Sequence, residues 1–342
     1  MRVFVYEHLT AGGLLSSEDD FACLAPEGDM MIRALLADLA EIPEVECVAL
    51  RDPRLGLDLP AQVLASSPLP SDLWPGLERA LELSEAVWPI APESDGCLER
   101  IAQLVLDNGR VLLNSRPPAV RITASKLATS RALAAGGTRV VPTYASPEEV
   151  PKNASVLVVK PDDGAGCVET YVTRDRALIV RSPEMARRNR IYQPLIAGDP
   201  RSLCVLCADG IARLLSCNRQ HIMEKDGKLE FAGVTVNALH DAGGRYARLA
   251  QSVIDAIPGL WGHVGIDFVE THDGPVVIEI NPRVTTACAG LRGALGMNLG
   301  RLVMGLPDSL HGLAQVPPRL GQPVRVRTPG AGPSSPATHD AL

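Results

Sequence analysis

Short apolar runs alternate with amphipathic segments over the first 120 residues. Four runs have the length and the β-branched content of buried strands, at residues 3–6, 45–50, 86–90 and 111–114. Apolar residues at helical spacing predict helices over residues 30–39 and 98–108. Strands that alternate with helices are typical of a parallel sheet, so we expect a parallel α/β domain over residues 1–120.

The pattern changes after residue 120. A helix is predicted from Lys126 to the Gly136-Gly137 pair, followed by a strand over residues 156–160. Further strands are predicted over residues 190–193, 202–208, 211–218, 264–270 and 275–280, with a helix over 245–257. Runs of strands with separate helices favour an α+β architecture, divided into a small unit over 121–191 and a C-terminal lobe over 192–312. Residues 313–342 are rich in Pro, Gly and Ser, and we expect this tail to be partly mobile.

Composition narrows the class of protein. The 342 residues are 46% hydrophobic and 21% charged, with a formal net charge of −7, which does not suit a binder of nucleic-acid phosphates. We find no apolar stretch near the roughly 20 residues that span a bilayer, and the chain opens on a strand rather than a leader. We therefore expect a cytoplasmic protein without nucleic-acid or membrane partners, and a homodimer is the default assembly.

The strongest chemical signal is a pair of strands joined by Asp273-Gly274, a favoured hairpin turn. Glu279 and Asn281 are two residues apart, so their side chains share one face of the second strand, where Asp267 of the first strand can meet them. Three oxygen ligands without sulfur or imidazole suit Mg²⁺. Alternating polar residues more often lie on a solvated strand face, so this segment alone does not decide between the two interpretations.

A second signal favours the metal interpretation. Lys160 ends a predicted strand just before a loop of small residues that contains Gly164 and Gly166. Such a loop can turn backbone N–H groups toward phosphate, and the lysine adds a point charge. A glycine loop alone is usually only a turn, but together with the three oxygen ligands it indicates a site for Mg²⁺-ATP.

The order of these features resembles the ATP-grasp superfamily over roughly residues 115–300. The resemblance implies a nucleotide held between two α+β lobes, with residues 121–191 as the lid subdomain that closes over it. It also implies roles for individual residues: Lys126 and Lys160 contact phosphates together with Gly164 and Gly166; Gln193, Leu195 and Ile196 hold adenine; Asp199 is the carboxylate nearest in sequence to the position where the family usually has a glutamate for the ribose; Asp267, Glu279 and Asn281 bind Mg²⁺ or Mn²⁺; and Arg283, with Lys160, stabilises the transferring phosphoryl group.

The N-terminal stretch from Glu7 through Thr10 to Gly12, taken with residues 216–220, resembles a narrower family. It is similar to the tyramine–L-glutamate ligases of methanofuran biosynthesis. The resemblance implies that ATP phosphorylates the γ-carboxylate of glutamate and that tyramine displaces phosphate. Glu7, Thr10 and Gly12 follow the first strand, where α/β sheets bind ligands, and Arg219 and Arg292 are further candidates for holding a carboxylate.

Two other interpretations stay open. The chain could be another ATP-grasp ligase that joins amino acids or adds glutamate to a cofactor, or a nucleotide-binding regulatory protein without turnover. An amino-acid acceptor requires a carboxylate clamp, whereas tyramine requires an apolar slot with a polar partner for its phenol. Cys204 and Cys207 have CxxC spacing, but strand positions three apart face opposite sides, so we interpret them as buried free thiols and assign His221 a structural role.

Overall fold

The structure is a computed structural model that describes residues 1–13, 18–65, 73–164, 167–187, 189–306 and 321–328. Two sheets dominate these residues. The first has five strands and the second has nine, and the pairing direction differs between them.

The first sheet is parallel throughout, as the sequence predicts for residues 1–120. Its strands are β1 (Arg2–Glu7), β2 (Glu46–Arg51), β3 (Gln62–Ala65), β4 (Ala86–Ile90) and β5 (Val111–Leu112), in the order β3-β2-β1-β4-β5. The helices of this part are α1 (Glu18–Leu39), α2 (Leu73–Glu82) and α3 (Cys97–Asp107). The carboxyl ends of β1 and β4 lie side by side, because Glu7 pairs with Ile90.

Both faces of this sheet are buried, and the alternation along β1 shows how. Val3 and Val5 pack in a core with Leu35 of α1, whereas Phe4 and Tyr6 pack in a second core that contains residues of α2 and α3. A strand buried on both faces carries an almost continuous apolar run, which is why β1 is readable from the sequence.

Two helices connect the sheets, α4 (Pro117–Ala124) and α5 (Lys126–Ala135). The strands of the second sheet are β6 (Leu157–Pro161), β7 (Tyr171–Thr173), β8 (Arg190–Pro194), β9 (Asp199–Ala208), β10 (Ile211–Lys225), β11 (Lys228–Leu239), β12 (Gly262–Thr271), β13 (Gly274–Asn281) and β14 (Val324–Arg327). Its helices are α6 (Arg176–Arg181), α7 (Arg245–Ala256), α8 (Cys288–Leu295) and α9 (Leu299–Met304). The pairing is antiparallel in the order β13-β12-β9-β10-β11-β7-β6-β8, with β14 beside β11.

The two faces of this second sheet carry separate cores. Cys204 of β9 packs in the core that contains residues of α1 and α8, whereas Cys207 packs with residues of α7. Both thiols are free and buried, which confirms the interpretation of the CxxC spacing. His221 is within 2.8 Å of the Thr235 hydroxyl on the neighbouring strand, a contact that suits its predicted structural role.

Part of the tail is more ordered than its composition predicts. Val324–Arg327 forms β14, which pairs with β11, and Val326 is buried in the core beside α8. This strand forms because it obtains its apolar surface from the body of the protein rather than from the tail, and the expected partial mobility of the tail stays a prediction. The last dozen residues, which we expected to be mobile, lie outside the described residues. Among the helices that the structure describes, none has the length and apolar content needed to cross a membrane.

Candidate active site

The predicted metal ligands meet on the hairpin of β12 and β13. Asp267 pairs directly with Glu279, and Asn281 pairs with Gly265 two positions away on the same face. The Asn281 amide donates to Asp267 Oδ2 at 3.2 Å, and the Gln220 amide of β10 donates to Asp267 Oδ1 at 3.0 Å. The bond that Asn281 Nδ2 makes leaves its carbonyl oxygen as an acceptor, so two carboxylates and one amide oxygen are available to a cation.

The hairpin departs from regular pairing immediately after Asp267, where a β-bulge follows. Because of this bulge, Val277 and Ile280 both enter the core beside α7, although they are three residues apart. Ile278 remains half-buried. The bulge therefore lets β13 keep an apolar face while Glu279 stays opposite Asp267.

Two lysines lie over this carboxylate pair. Lys126, at the start of α5, places its Nζ 3.6 Å from Glu279 Oε2 and is only 5% exposed. Lys160, in β6, is 7% exposed. Two ammonium groups beside two carboxylates form a charge-balanced cluster that suits the phosphates of a nucleotide together with a divalent cation.

The ionisation of the cluster is shifted by burial. Burial, and then the charge of Glu279, raise the pKa of Asp267 from 3.8 to about 7. Burial lowers the pKa of Lys160 from 10.5 to about 8, although Glu279 opposes that shift. Groups with such shifted values beside a crevice are candidates for function.

The loop after Lys160 is attached to Lys126. The Lys126 backbone N–H donates to the Asp162 carbonyl at 3.0 Å, and its Nζ donates to the Gly164 carbonyl. The Asp162 side chain accepts from the Leu127 N–H at 2.9 Å, at the start of α5. Gly164 is half-buried in this loop, and Gly166 lies outside the described residues.

The segment predicted to hold adenine follows β8. Gln193 is buried and donates from Nε2 to the Thr143 hydroxyl at 2.9 Å. The Leu195 N–H donates to the Val156 carbonyl at 3.0 Å, while its side chain is 43% exposed, and Ile196 is half-buried. The Leu195 N–H is therefore engaged within the protein here, and the adenine role of this segment stays a prediction.

Asp199 is placed differently from the expectation. Its carboxylate lies 3.1 Å from Arg201 Nη2, and it pairs in register with Glu270, three residues beyond Asp267 on β12. Its predicted contact with the ribose would compete with the Arg201 ion pair.

A buried ion pair joins the two sheets beside the metal ligands. The Arg283 Nε and Nη2 donate to the two carboxylate oxygens of Glu93 at 3.0 and 3.1 Å. Glu93 follows β4, at the carboxyl edge of the parallel sheet. The predicted phosphoryl-stabilising arginine is therefore held by the N-terminal unit.

Glu7 ends β1 at the same edge, and Thr10 and Gly12 follow it. Glu7 is 2% exposed and accepts from the backbone N–H groups of Thr10, at 2.7 Å, and Leu9, at 3.3 Å. Burial raises the pKa of Glu7 from 4.5 to about 7, and the charge of Arg283 opposes the shift. Gly12 has φ of 95°, a conformation that glycine adopts without strain.

Comparison with known proteins identifies the two parts of the chain. The family model of the pre ATP-grasp 3 domain matches residues 45–120, and that of the ATP-grasp domain matches residues 123–287, so together they cover more than half of the chain. The chain belongs to the ATP-grasp family. Its parallel and antiparallel sheets are the α/β and α+β parts that the resemblance implied.

Solved ATP-grasp structures have the same fold. An ATP-grasp superfamily protein from Archaeoglobus fulgidus is 23% identical with a TM-score of 0.69, and the match covers 89% of this chain and 88% of that one. A biotin carboxylase domain from Hydrogenobacter thermophilus, in complex with MgADP and bicarbonate, is 14% identical with a TM-score of 0.64, over 94% of this chain and 71% of that one. These identities are low enough that the likeness concerns the fold alone.

A curated relative supports the narrower resemblance over part of the chain. A tyramine–L-glutamate ligase from Methanocaldococcus jannaschii is 38% identical over 104 residues, which are 30% of this chain and 32% of that protein. The match thus spans about a third of the length of this curated relative.

Two predicted substrate arginines do not join the ATP-grasp site. Arg219 pairs with Arg201, which pairs with Phe268, so it lies on the α7 side of the sheet, whereas Asp267 faces the other way. Arg292 of α8 forms ion pairs with Asp38 and Glu41 near the end of α1. Strand alternation directs Arg219 away from Asp267, and helix packing holds Arg292 beside α1, so their role as substrate contacts stays a prediction.

Glu93 and Glu27 were missed. Glu93 holds Arg283, and Glu27 of α1 accepts a hydrogen bond from the Thr286 hydroxyl, close enough to Arg283 to raise the pKa of that guanidinium against the effect of burial. The only available signal for Glu93 was its position just after a predicted strand.

The donor set fits a divalent cation that also takes ligands from phosphates. Within the described residues, no three His, Cys, Asp or Glu side chains converge as a complete metal site. Asp267, Glu279 and the Asn281 amide supply only three hard oxygen donors, and Mg²⁺ characteristically completes such a set with water and nucleotide oxygens.

Proposed function

We propose that this protein is an ATP-dependent ligase that activates a carboxylate as an acyl phosphate and joins it to an amine. The observation that carries the proposal is the convergence of the Asp267–Glu279 pair with Lys126, Lys160 and Arg283. Two carboxylates for a cation and three cationic side chains for phosphoryl oxygens are what transfer of the γ-phosphoryl group requires.

The residues divide between binding and charge neutralisation. Asp267, Glu279 and Asn281 would hold Mg²⁺, which supplies Lewis-acid stabilisation of phosphoryl oxygens when bound. Lys126 and Lys160 bind the nucleotide phosphates and hold them in line with the acceptor carboxylate. Residues 121–191 act as the lid that excludes water, which would otherwise hydrolyse the acyl phosphate.

The reaction balances in two steps. A carboxylate oxygen attacks the γ-phosphorus of ATP, the bond to the β-phosphate oxygen breaks, and ADP leaves. The amine, bound as its cation, first loses a proton to solvent; its nitrogen then attacks the acyl carbon, the carbon–oxygen bond to phosphate breaks, and the nitrogen loses a second proton to the departing phosphate. Arg283 neutralises the charge that develops on the phosphoryl oxygens in both steps.

We propose the γ-carboxylate of L-glutamate and tyramine as substrates. The partial match to a tyramine–L-glutamate ligase supports this choice. Glu7 and Glu27, which lie near Arg283, suit an amine that arrives as a cation, a property that tyramine shares with amino acids. Arg219 and Arg292, the candidates for holding a carboxylate, are directed away from Asp267 and toward α1, so they give no support to the carboxylate clamp that an amino-acid acceptor requires.

The test is phosphate release by the purified protein with Mg²⁺-ATP and glutamate, with tyramine compared against a panel of amino acids. Release that requires both glutamate and tyramine, with the matching amide in the mass spectrum, is the expected result. Activity with another pair would retain the ligase and overturn the substrates. A complete lack of turnover, with ATP binding intact, would favour the regulatory interpretation.

A further inference from the structure

The turn after β4 brings a carboxylate from one sheet to an arginine of the other. Glu93 is 6% exposed, and its two oxygens accept from Nε and Nη2 of Arg283 at 3.0 and 3.1 Å. The two residues are 190 positions apart in the chain. Parallel N–H···O bonds of this kind fix the plane of a guanidinium group as well as its position.

The remaining donors of Arg283 are directed by this contact. A guanidinium group has five N–H bonds. One on Nε and one on Nη2 are held by Glu93, and Nη1 donates a third to the Val284 carbonyl at 3.2 Å. Among the residues that the structure describes, no further partner takes the second N–H of either terminal nitrogen, and these two N–H groups can be donated to a phosphoryl oxygen.

The backbone of Arg283 is fixed separately. The His263 ring places Nδ1 3.1 Å from the Arg283 carbonyl oxygen, and burial lowers the pKa of this histidine to about 4. A carbonyl oxygen only accepts, so Nδ1 of the neutral ring carries the proton. With its backbone fixed by β12, Arg283 depends on Glu93 for the direction of its side chain.

The same turn also contacts the loop after Lys160. The Ser94 hydroxyl donates to the Asp163 carbonyl at 2.9 Å, and the Asp95 N–H donates to the Asp163 carboxylate at 3.1 Å. Three consecutive residues of the N-terminal unit therefore contact both the arginine and the phosphate loop.

We propose that Glu93 is a positioning residue of the ligase reaction, which directs the free N–H groups of Arg283 toward the transferring phosphoryl group. The proposal rests on the proposed function. Glu93 acts through Arg283, since each of its oxygens accepts from the guanidinium.

Replacement of the Glu93 carboxylate by an amide changes the orientation of Arg283 without changing the packing around residue 93. Glu93→Gln keeps the size of the side chain but sets an NH₂ donor against one of the two Arg283 donors, so the bidentate contact cannot form. The guanidinium then rotates, while the binding of ATP by Lys126 and Lys160 is retained.

The experiment compares Glu93→Gln with Glu99→Gln in glutamate-dependent ADP formation. Glu99 of α3 accepts from Arg121 of α4, in an ion pair more exposed than that of Glu93 with Arg283. We expect kcat to fall roughly 10²-fold in Glu93→Gln, with the KM for ATP within about threefold of wild type, and Glu99→Gln to match wild type. An equal rise in the KM for ATP, or no change in kcat, would overturn the proposal.

A double variant tests whether Glu93 acts through the arginine. In an Arg283→Ala background, Glu93→Gln should cause no further loss of kcat, because its only route to the substrate is already removed. Additive losses from the two substitutions would assign Glu93 a separate role and overturn the proposal.

A measurement without turnover keeps this inference apart from the proposed function. The Arg283 Nε–H should give a nitrogen–proton NMR signal protected from solvent exchange, identified by its absence in Arg283→Lys, and lost in Glu93→Gln. Protection that survives Glu93→Gln would overturn the positioning role. If wild type releases no phosphate, the proposed function fails on its own assay, while this signal still decides whether Glu93 holds Arg283.

Discussion

The two sheets supply charged groups to the site in different ways. The antiparallel sheet carries Asp267 and Glu279 within its strands, where register sets one carboxylate opposite the other. The parallel sheet supplies Glu7 from the last position of β1 and Glu93 from the segment that follows β4. Groups within strands are fixed by the hydrogen-bonded ladder, whereas groups after strand ends are fixed by the contacts of each loop. We therefore expect substitutions in the two sheets to differ in their effects on activity and on stability.

The largest effect is expected within the antiparallel strands. Glu279→Gln removes the charge that pairs with Lys126 and binds the cation, so phosphate release should fall by more than roughly 10²-fold. Thermal unfolding should change little, because Glu279 is partly exposed and its backbone bonds remain. Glu230→Gln, at an exposed position of β11, is the matched control. Near-normal phosphate release by Glu279→Gln would contradict the assignment of Glu279 as a metal ligand.

A smaller effect follows from the ionisation of Asp267. Its pKa is raised from 3.8 to about 7, so between these values the folded protein holds a proton that the unfolded chain releases. Stability without metal should therefore fall as pH rises through this window. Mg²⁺ favours the carboxylate form, so the increase in Tm that it causes should be larger at about pH 8 than at about pH 6.

Thermal unfolding with and without Mg²⁺ measures this difference, with Asp267→Asn as the control that abolishes it. An increase in Tm that is the same at both pH values in wild type would contradict the assignment. Above pH 8, loss of the Lys160 proton should weaken ATP binding, because its pKa is lowered to about 8. A KM for ATP that stays constant across that range would argue against the phosphate contact of Lys160.

The same contrast explains how much was readable from the sequence. Side chains in strands alternate with a period of two, so the shared face of Glu279 and Asn281 and the meeting with Asp267 followed from spacing alone. That β1, β2, β4 and β5 are strands of a parallel sheet followed from their apolar runs. The ion pair of Glu93 with Arg283 did not, because no local pattern encodes a contact between residues 190 positions apart.

The sequence pattern also failed to predict two strands of the second sheet, β11 and β14. β11 is twelve residues long, but Gly233 has φ of 124° and Asn237 has φ of 54°, and these interruptions break the alternation that identifies a strand. β14 was missed because its apolar partner surface comes from α8 and β11 rather than from its own segment. Long-range pairing, rather than local propensity, decides both elements.

The smallest effect is expected for a substitution of Arg292, which tests whether α8 contributes a residue to the substrate site. Arg292 is 43% exposed and joins α8 to Asp38 of α1 and to Glu41 just beyond the end of that helix; Asp38 is ten residues along α1 from Gly28, which packs against Glu7. Ten residues of helix span about 15 Å, so Arg292 lies too far away to hold a substrate carboxylate beside Arg283. Arg292→Ala should leave the KM for glutamate and kcat unchanged while lowering Tm slightly, since an exposed ion pair contributes little. A selective rise in the KM for glutamate at unchanged Tm would instead place a substrate carboxylate at α8. That helix would then contribute to the site together with the two sheets.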